Sequence, residues 1–227
     1  MMRELLLAAV FSGLALLLVA VTWAIYQRSK ARRAARARYF SEVAALFEAP
    51  LNAVAATGFP RLSGKINGAL FDLQVVPDTL TFRKLPALWL LVTLPEPLPL
   101  RATLDMLMRP MGTEPFTNHS KLPQQIATPA GFPPDCVIRT DDRLALPDAA
   151  LVARHVAGLN PDRLKEVVIS PKGLRIVWLI EEADRTRYLL FRDAEMGATA
   201  LPRATLLPLI GALRDLQADL TAELAKE

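Results

Sequence analysis

The sequence has almost none of the residues that build disulfides and metal sites. Its 227 residues include one cysteine, Cys136, and two histidines, His119 and His155. A single cysteine cannot form an intrachain disulfide, as is typical of proteins in a reducing compartment. The histidines and the cysteine do not have the spacing of zinc ligands. We therefore predict no metal site and no cofactor.

Motifs for catalysis and phosphate binding are also missing. Gly64 and Gly68 are not followed by the Lys-Ser/Thr pair that a P-loop requires. Cys136 can be a nucleophile only beside a base, and His119 in the preceding loop is the candidate. The simpler interpretation of Cys136 is a small buried residue of a strand. The sequence therefore favours a non-enzymatic protein, with a membrane-tethered enzyme as the alternative.

Acidic residues form two clusters that are a second possible site for such an enzyme, since paired carboxylates can act as acid and base. The clusters are Asp135, Asp141 and Asp142, and Glu181, Glu182 and Asp184. Arginines lie next to both clusters, so solvated turns with local ion pairs are the simpler interpretation. Lys172, in the Pro-Lys-Gly turn at 171–173, can bind an anion, but turn geometry alone is the simpler interpretation. Arg83 and Lys84 are predicted to be a pair of loop charges.

No charged side chain occurs from Leu5 to Tyr26. These residues reach about 33 Å as a helix, and the hydrocarbon core of a bilayer is about 30 Å thick. Trp23 and Tyr26 lie at the far end, where amphipathic rings favour the headgroup region. A buried helix of this length usually has a polar face, and a cleaved signal peptide has its basic residues before the apolar run. We therefore predict a transmembrane anchor at residues 1–27.

A basic segment follows the anchor directly, and we predict a juxtamembrane helix over 28–50 that Pro50 ends. The basic cluster consists of Arg28, Lys30, Arg32, Arg33, Arg36 and Arg38. Because positive charge favours the cytoplasmic side, the N-terminus is predicted outside the cell membrane and the rest of the chain inside. The cluster can also bind anionic lipid headgroups. Nucleic acid is not a predicted partner, because residues 41–227 contain 20 Lys and Arg against 22 Asp and Glu.

Residues 51–227 are predicted to form a cytoplasmic α+β domain with a mainly antiparallel sheet and flanking helices. Asn67-Gly68 predicts a hairpin between strands at 60–66 and 69–76. Further strands are predicted at 88–94, at 102–108 as the partner of 88–94, and at 136–139, 166–170, 174–180 and 187–191. Helices are predicted from Pro147-Asp148 and from about Arg203.

Proline is concentrated in one region, with 9 of the 18 prolines between Pro95 and Pro134. Because proline disrupts both helices and central strands, residues 109–134 are predicted to form a long loop, which we call the proline-rich loop. Its apolar side chains suit either of two roles. The loop can dock onto a protein partner, or it can fold back over its own sheet.

Three segments resemble bacterial single-pass membrane-anchored proteins of unknown function. They are Gly64-Lys-Ile-Asn-Gly68, Thr93-Leu-Pro-Glu-Pro-Leu-Pro99 and Ile169-Ser-Pro-Lys-Gly-Leu-Arg-Ile176. The resemblance covers most of residues 60–215, implies a similar architecture and carries no site residue. The sequence thus predicts a binding or scaffold protein at the membrane surface, with a membrane or cytoplasmic protein as its partner.

Overall fold

A computed structural model describes residues 1–79, 85–112, 114–191 and 194–225. Arg83 and Lys84 lie outside these residues. The described helices are α1 Met2–Ala37, α2 Ala149–Ala157, α3 Arg185–Phe191 and α4 Arg203–Leu224. The strands are β1 Glu48–Val54, β2 Pro60–Ile66, β3 Ala69–Asp78, β4 Ala87–Leu94, β5 Leu104–Met108, β6 Gln124–Ile126, β7 Cys136–Thr140, β8 Leu164–Ser170 and β9 Gly173–Glu182.

These strands form one sheet in the order β1-β2-β3-β4-β9-β8-β5-β7-β6. All of its described pairings are antiparallel. The predicted α+β class with an antiparallel sheet and flanking helices is therefore confirmed. We call the end of the sheet that carries the β1–β2 loop the proximal end. The opposite end, with the β2–β3 and β8–β9 turns, is the distal end.

Helices α2 and α4 cover one face of the sheet. Strand side chains alternate between faces, and Leu88, Leu90 and Val92 of β4 belong to the same buried cluster as Leu209 and Leu213 of α4. Helix α2 begins at Asp148, whose carboxylate accepts hydrogen bonds from two backbone amides of its first turn, as an N-cap does. This face holds the main hydrophobic core.

The proline-rich loop covers part of the other face. A second buried cluster contains Trp89, Leu91 and Val177 of the sheet together with Phe116 of the loop. The Trp89 and Phe116 ring centroids are 5.3 Å apart. The loop therefore folds back over its own sheet, which is the second of the two roles considered from the sequence.

Several elements agree with the sequence prediction. Asn67 and Gly68 have φ values of 49° and 82°, and they join β2 to β3 as the Asn-Gly pattern predicts. The strands at 88–94, 136–139, 166–170 and 174–180 are present, as are both predicted helices.

Three predictions were wrong. The segment 102–108 is not the partner of β4, because β4 pairs with β3 and β9 while β5 pairs with β7 and β8. The segment 187–191 belongs to helix α3. Helix α1 ends at Ala37 and not at Pro50, because the chain turns there and buries Tyr39, Phe40 and Val43 in the core.

Helix α1 spans 36 residues. From Leu5 to Tyr26, every side chain that the structure describes is exposed. By length and composition it can cross a membrane. Its C-terminal end packs on the proximal end of the sheet, where the Arg36 guanidinium lies 5.2 Å from the centroid of the Phe59 ring. The Leu201 amide donates a 2.7 Å hydrogen bond to the Tyr39 carbonyl. These contacts join α1 directly to the domain.

Candidate functional site

Three charged side chains lie together on the face of the sheet that the proline-rich loop covers. Asp105 and Arg175 both pair with Val168, one from each side, so the three residues share a face. Glu166 lies two residues before Val168 on the same strand and has no exposed surface. Its Oε2 accepts a 3.0 Å hydrogen bond from Arg175 Nη2. Asp105 is only 3% exposed, so the site holds two buried carboxyls and one guanidinium.

Burial favours the protonated form of both carboxyls in this group. Burial, and then the negative charge of Glu166, raise the pKa of Asp105 to about 8, against the opposing charge of Arg175. Burial also raises the pKa of Glu166, although Arg175 and the Thr117 hydroxyl favour its charged form. The two carboxyls lie close enough for the charge of Glu166 to act on Asp105. Burial and the repulsion between the two negative charges thus oppose ionisation of both carboxyls at once.

Two polar atoms of this group have no hydrogen-bond partner among the described residues. They are Oδ1 of Asp105 and Nε of Arg175, and both are buried. Buried polar atoms are nearly always hydrogen-bonded, so such atoms in a pocket indicate a place for a ligand or for water. The group thus offers one free acceptor and one free donor.

Both residues line a pocket of about 610 Å³ at the distal end of the sheet, which we call the distal pocket. Its floor is formed by strand residues, including Thr93, Asp105, Val168 and Arg175. Its rim comes from the proline-rich loop and from two turns. The rim residues include Asn118, Lys121, Leu122, Asp141, Pro171 and Lys172. The arrangement can hold a small polar molecule with its buried end on Asp105.

The proline-rich loop is fixed next to this pocket by polar contacts. Thr117 donates a hydrogen bond from its hydroxyl to Glu166. Lys165 Nζ lies 3.1 Å from Glu114 Oε1, and both side chains are 5% exposed. Arg139 Nη1 donates a 2.7 Å hydrogen bond to the Leu122 carbonyl. These contacts hold the loop on the sheet and complete the wall of the distal pocket.

The structure does not bring Cys136 and His119 together. Cys136 packs in the main core on the helix-covered face, and burial raises the pKa of its thiol to about 12. His119 belongs to the proline-rich loop on the other face, with its Nε2 3.0 Å from the Val137 carbonyl oxygen. Burial lowers the pKa of His119. A thiol with a raised pKa and no adjacent base is a poor nucleophile.

The first acidic cluster is divided between turns. Asp141 lines the distal pocket, and its Oδ1 accepts a 2.7 Å hydrogen bond from the Thr103 amide. Asp142 accepts a 2.9 Å hydrogen bond from the Leu144 amide. Asp135 does not line the pocket. Among the described residues, no three side chains of His, Cys, Asp or Glu form a group that can hold a metal ion.

The second acidic cluster is at the proximal end. Glu181 accepts a hydrogen bond from the Gly197 amide at 2.9 Å. Asp184 accepts one from the Arg187 amide at 2.7 Å, in the first turn of α3. These carboxylates stabilise local backbone, and they are far from the distal pocket.

The basic cluster lies on the last turns of α1 and just after it. Four of its members are exposed and the other two, Arg32 and Arg36, are half-buried against the domain. The exposed members are Arg28, Lys30, Arg33 and Arg38. Four positive charges of the cluster are therefore exposed to solvent.

Sequence reasoning missed Asp105, Glu166 and Arg175. Side chains of β5 alternate between the two faces of the sheet, so Asp105 points away from the face of Leu104 and Met106. The sequence alone indicates that the face of Asp105 is exposed. The available signal was a charged residue in each of three strands, but only the strand order shows that these residues converge. Comparisons with protein-family models, with curated proteins and with solved structures found no match.

Proposed function

We propose that this chain is a single-pass membrane protein that holds a non-enzymatic, ligand-binding α+β domain at the cytoplasmic surface of the cell membrane. Helix α1 is the anchor, and its N-terminus faces outward. The distal pocket is the ligand site, and the exposed basic residues face anionic lipid headgroups.

The observation that carries this proposal is the way in which α1 joins the domain. Ser29, Arg32, Ala35 and Arg36 are half-buried and recur at helical spacing, so one stripe of α1 packs against the domain. Ser29 is three residues after Tyr26, which corresponds to about 5 Å along a helix. The domain therefore begins about one turn beyond the apolar segment, without a flexible linker.

The orientation can be tested with single added cysteines and a membrane-impermeant maleimide. We expect the Glu4→Cys variant to react in intact bacterial cells and the Ser41→Cys variant to react only in inverted membrane vesicles, because the basic cluster keeps its side of the membrane cytoplasmic. Both positions are exposed, and Cys136 is 4% exposed, so its reaction after unfolding serves as an internal control.

The opposite labelling pattern would reverse the proposed orientation. Recovery of the chain in the soluble fraction after the cells are broken would refute the anchor itself. Both outcomes are independent of what the distal pocket binds.

Replacing the four exposed basic residues by glutamine should reduce the amount of anionic lipid bound to the chain. Each basic residue near an anionic surface contributes about 1 kcal/mol at moderate salt. The measurement is the phosphatidylglycerol fraction among lipids that copurify with the intact chain, which should fall in this variant and as salt rises. A matched variant carries glutamine at Lys65, Arg101, Arg154 and Arg214, which are exposed elsewhere on the domain. If both variants lose the same lipid, the cluster has no special role.

A protein partner is tested by capture of the intact chain from its native membrane in mild detergent. A stoichiometric partner that remains bound to the variant Asp105→Asn uses a surface other than the distal pocket. A clean preparation without a partner favours a small-molecule ligand.

A further inference from the structure

From the geometry of the distal pocket we infer that it binds a small soluble zwitterion, with the ligand's primary ammonium group on Asp105 and its oxyanion between Lys121 and Lys172. This inference deepens the proposed function and rests on it for the role of the pocket. It names the ligand as an amino-acid-like molecule.

The floor of the pocket lacks one positive charge. Asp105 and Glu166 are two buried carboxyls, and Arg175 forms an ion pair with Glu166 and acts on Asp105 through its charge. The nearby Lys165 also favours the charged form of Glu166, but it forms an ion pair with Glu114 as well, so three carboxyls share two cations. An ammonium group can donate to Asp105 Oδ1, which has no partner among the described residues. It would neutralise the charge that a proton neutralises in the empty pocket.

The rim of the pocket supplies the opposite charge. Lys121 and Lys172 line it from two different segments, and both are exposed. Asp141 is also on the rim, where its carboxylate accepts a hydrogen bond from the Thr103 amide, so the two lysines and this carboxylate leave one net positive charge. A ligand with a buried ammonium and an outer carboxylate or phosphate matches this division of charge. A simple anion would leave the Asp105 oxygen without a donor.

Size and position identify the source of the ligand. The pocket volume of about 610 Å³ is far larger than the roughly 30 Å³ that a water molecule occupies. The pocket is at the distal end of the sheet, whereas α1 packs at the proximal end. Strand β9 has 10 residues, so the two ends are about 30 Å apart. A headgroup of the membrane that holds α1 is therefore too far away, and the ligand is soluble.

Binding should release a proton, because the ammonium takes the place of the proton on the carboxyl pair. The titratable and charged groups around Asp105 are Glu166 and Lys165 of β8, Arg175 of β9, Arg139 of β7, and His119, Lys121, Asp141 and Lys172 of the connecting segments. At pH values below the pKa of Asp105, which is about 8, each increase of one pH unit should raise the affinity for the ligand about tenfold. Buffers with different ionisation enthalpies report the released proton in calorimetry.

The test is titration calorimetry on the full chain in detergent micelles. The probes are the ω-amino acids from glycine to 6-aminohexanoate, and O-phosphoethanolamine as the phosphate form. Each is compared with the amine and the acid that carry only one of its charges. We expect at least one zwitterion to bind ten times more tightly than both of its matched compounds. The chain length of the best probe measures the separation of the two charges.

Two variants locate the site. Asp105→Asn keeps the shape of the neutral carboxyl and should weaken zwitterion binding at least tenfold and abolish proton release. The double variant Lys121→Gln and Lys172→Gln should weaken the zwitterion but not its matched amine. Asp142→Asn is the control, since Asp142 is an exposed carboxylate of the neighbouring turn that does not line the pocket.

Three results would overturn the inference: no binding by any zwitterion to the folded chain, unchanged affinity in Asp105→Asn, or an acid that binds as tightly as its zwitterion. The last result would identify a plain anion site. If thiol labelling finds the anchor as proposed while no probe binds, only the ligand is wrong. If a probe binds but the chain is soluble, only the anchor is wrong.

Discussion

Replacing Gly173 by alanine is expected to destabilise the domain by roughly 3 kcal/mol, because strain and overpacking act together. Gly173 has a φ of 129°, a backbone conformation that residues other than glycine rarely adopt. A Cβ atom there would also lie 2.2 Å from the Leu94 carbonyl oxygen and 3.0 Å from the Glu96 amide nitrogen. Both are backbone atoms, so the ends of β4 and β9 must move apart. Urea unfolding of the full chain in micelles, followed by tryptophan fluorescence, measures the change.

Gly211 provides the matched control. It lies inside α4, and an added Cβ meets nothing within 4 Å. Alanine is a better helix former than glycine by about 1 kcal/mol, so Gly211→Ala should be neutral or stabilising. If Gly173→Ala costs no more than a few tenths of a kcal/mol, the approach of the two strands is looser than the structure indicates.

The same position shows what the sequence can and cannot predict. Pro171-Lys172-Gly173 predicts a turn, and the β8–β9 turn is there, with Ser170 paired to Gly173. The pattern does not show why the third residue is glycine. The reason is the carbonyl of Leu94, which comes from β4 and approaches only because β4 is the neighbour of β9.

Local patterns predicted elements well where the signal was local. The Asn67-Gly68 hairpin and the apolar spacing of α4 need no information from elsewhere in the chain. Segment 187–191 has no such signal, because a short apolar run fits a strand and a helix equally well. In the structure Leu189 and Leu190 are 57% and 70% exposed. The apolar residues of this segment were therefore not evidence of a buried strand.

The candidate site could not be predicted, since its residues meet only through the strand order. Asp105 and Arg175 are far apart in the chain and lie on either side of Val168. The proline-rich loop then buries a face whose alternating pattern suggests exposure. The sequence did predict a long loop that folds over the sheet as one of two options, but it could not show which polar side chains lie underneath.

The stability of the domain is expected to fall as pH rises from 5 to 8. Some carboxyls have a higher pKa in the folded chain than in the unfolded chain. Such a carboxyl stabilises the folded state most at pH values below its pKa in the unfolded chain. This contribution is lost as pH rises through its pKa in the folded chain. Asp105 has a folded pKa of about 8 and an unfolded value near 3.9. In this window the folded chain holds one proton more than the unfolded chain. The free energy of unfolding should therefore drop by about 1.4 kcal/mol per pH unit from this group.

The variant Asp105→Asn isolates this effect. Its amide needs no proton, and Glu166 keeps its ion pair with Arg175. As pH rises from 5 to 8, the variant should therefore become more stable relative to the natural chain by about 1.4 kcal/mol per pH unit. His119 has a lowered folded pKa and contributes with the opposite sign below its unfolded value of about 6.5. That contribution cancels in the difference between the two proteins. A parallel pH dependence in the natural chain and the variant would mean that Asp105 is ionised in the folded domain. A confirmed slope would show that Asp105 holds a proton in the folded domain.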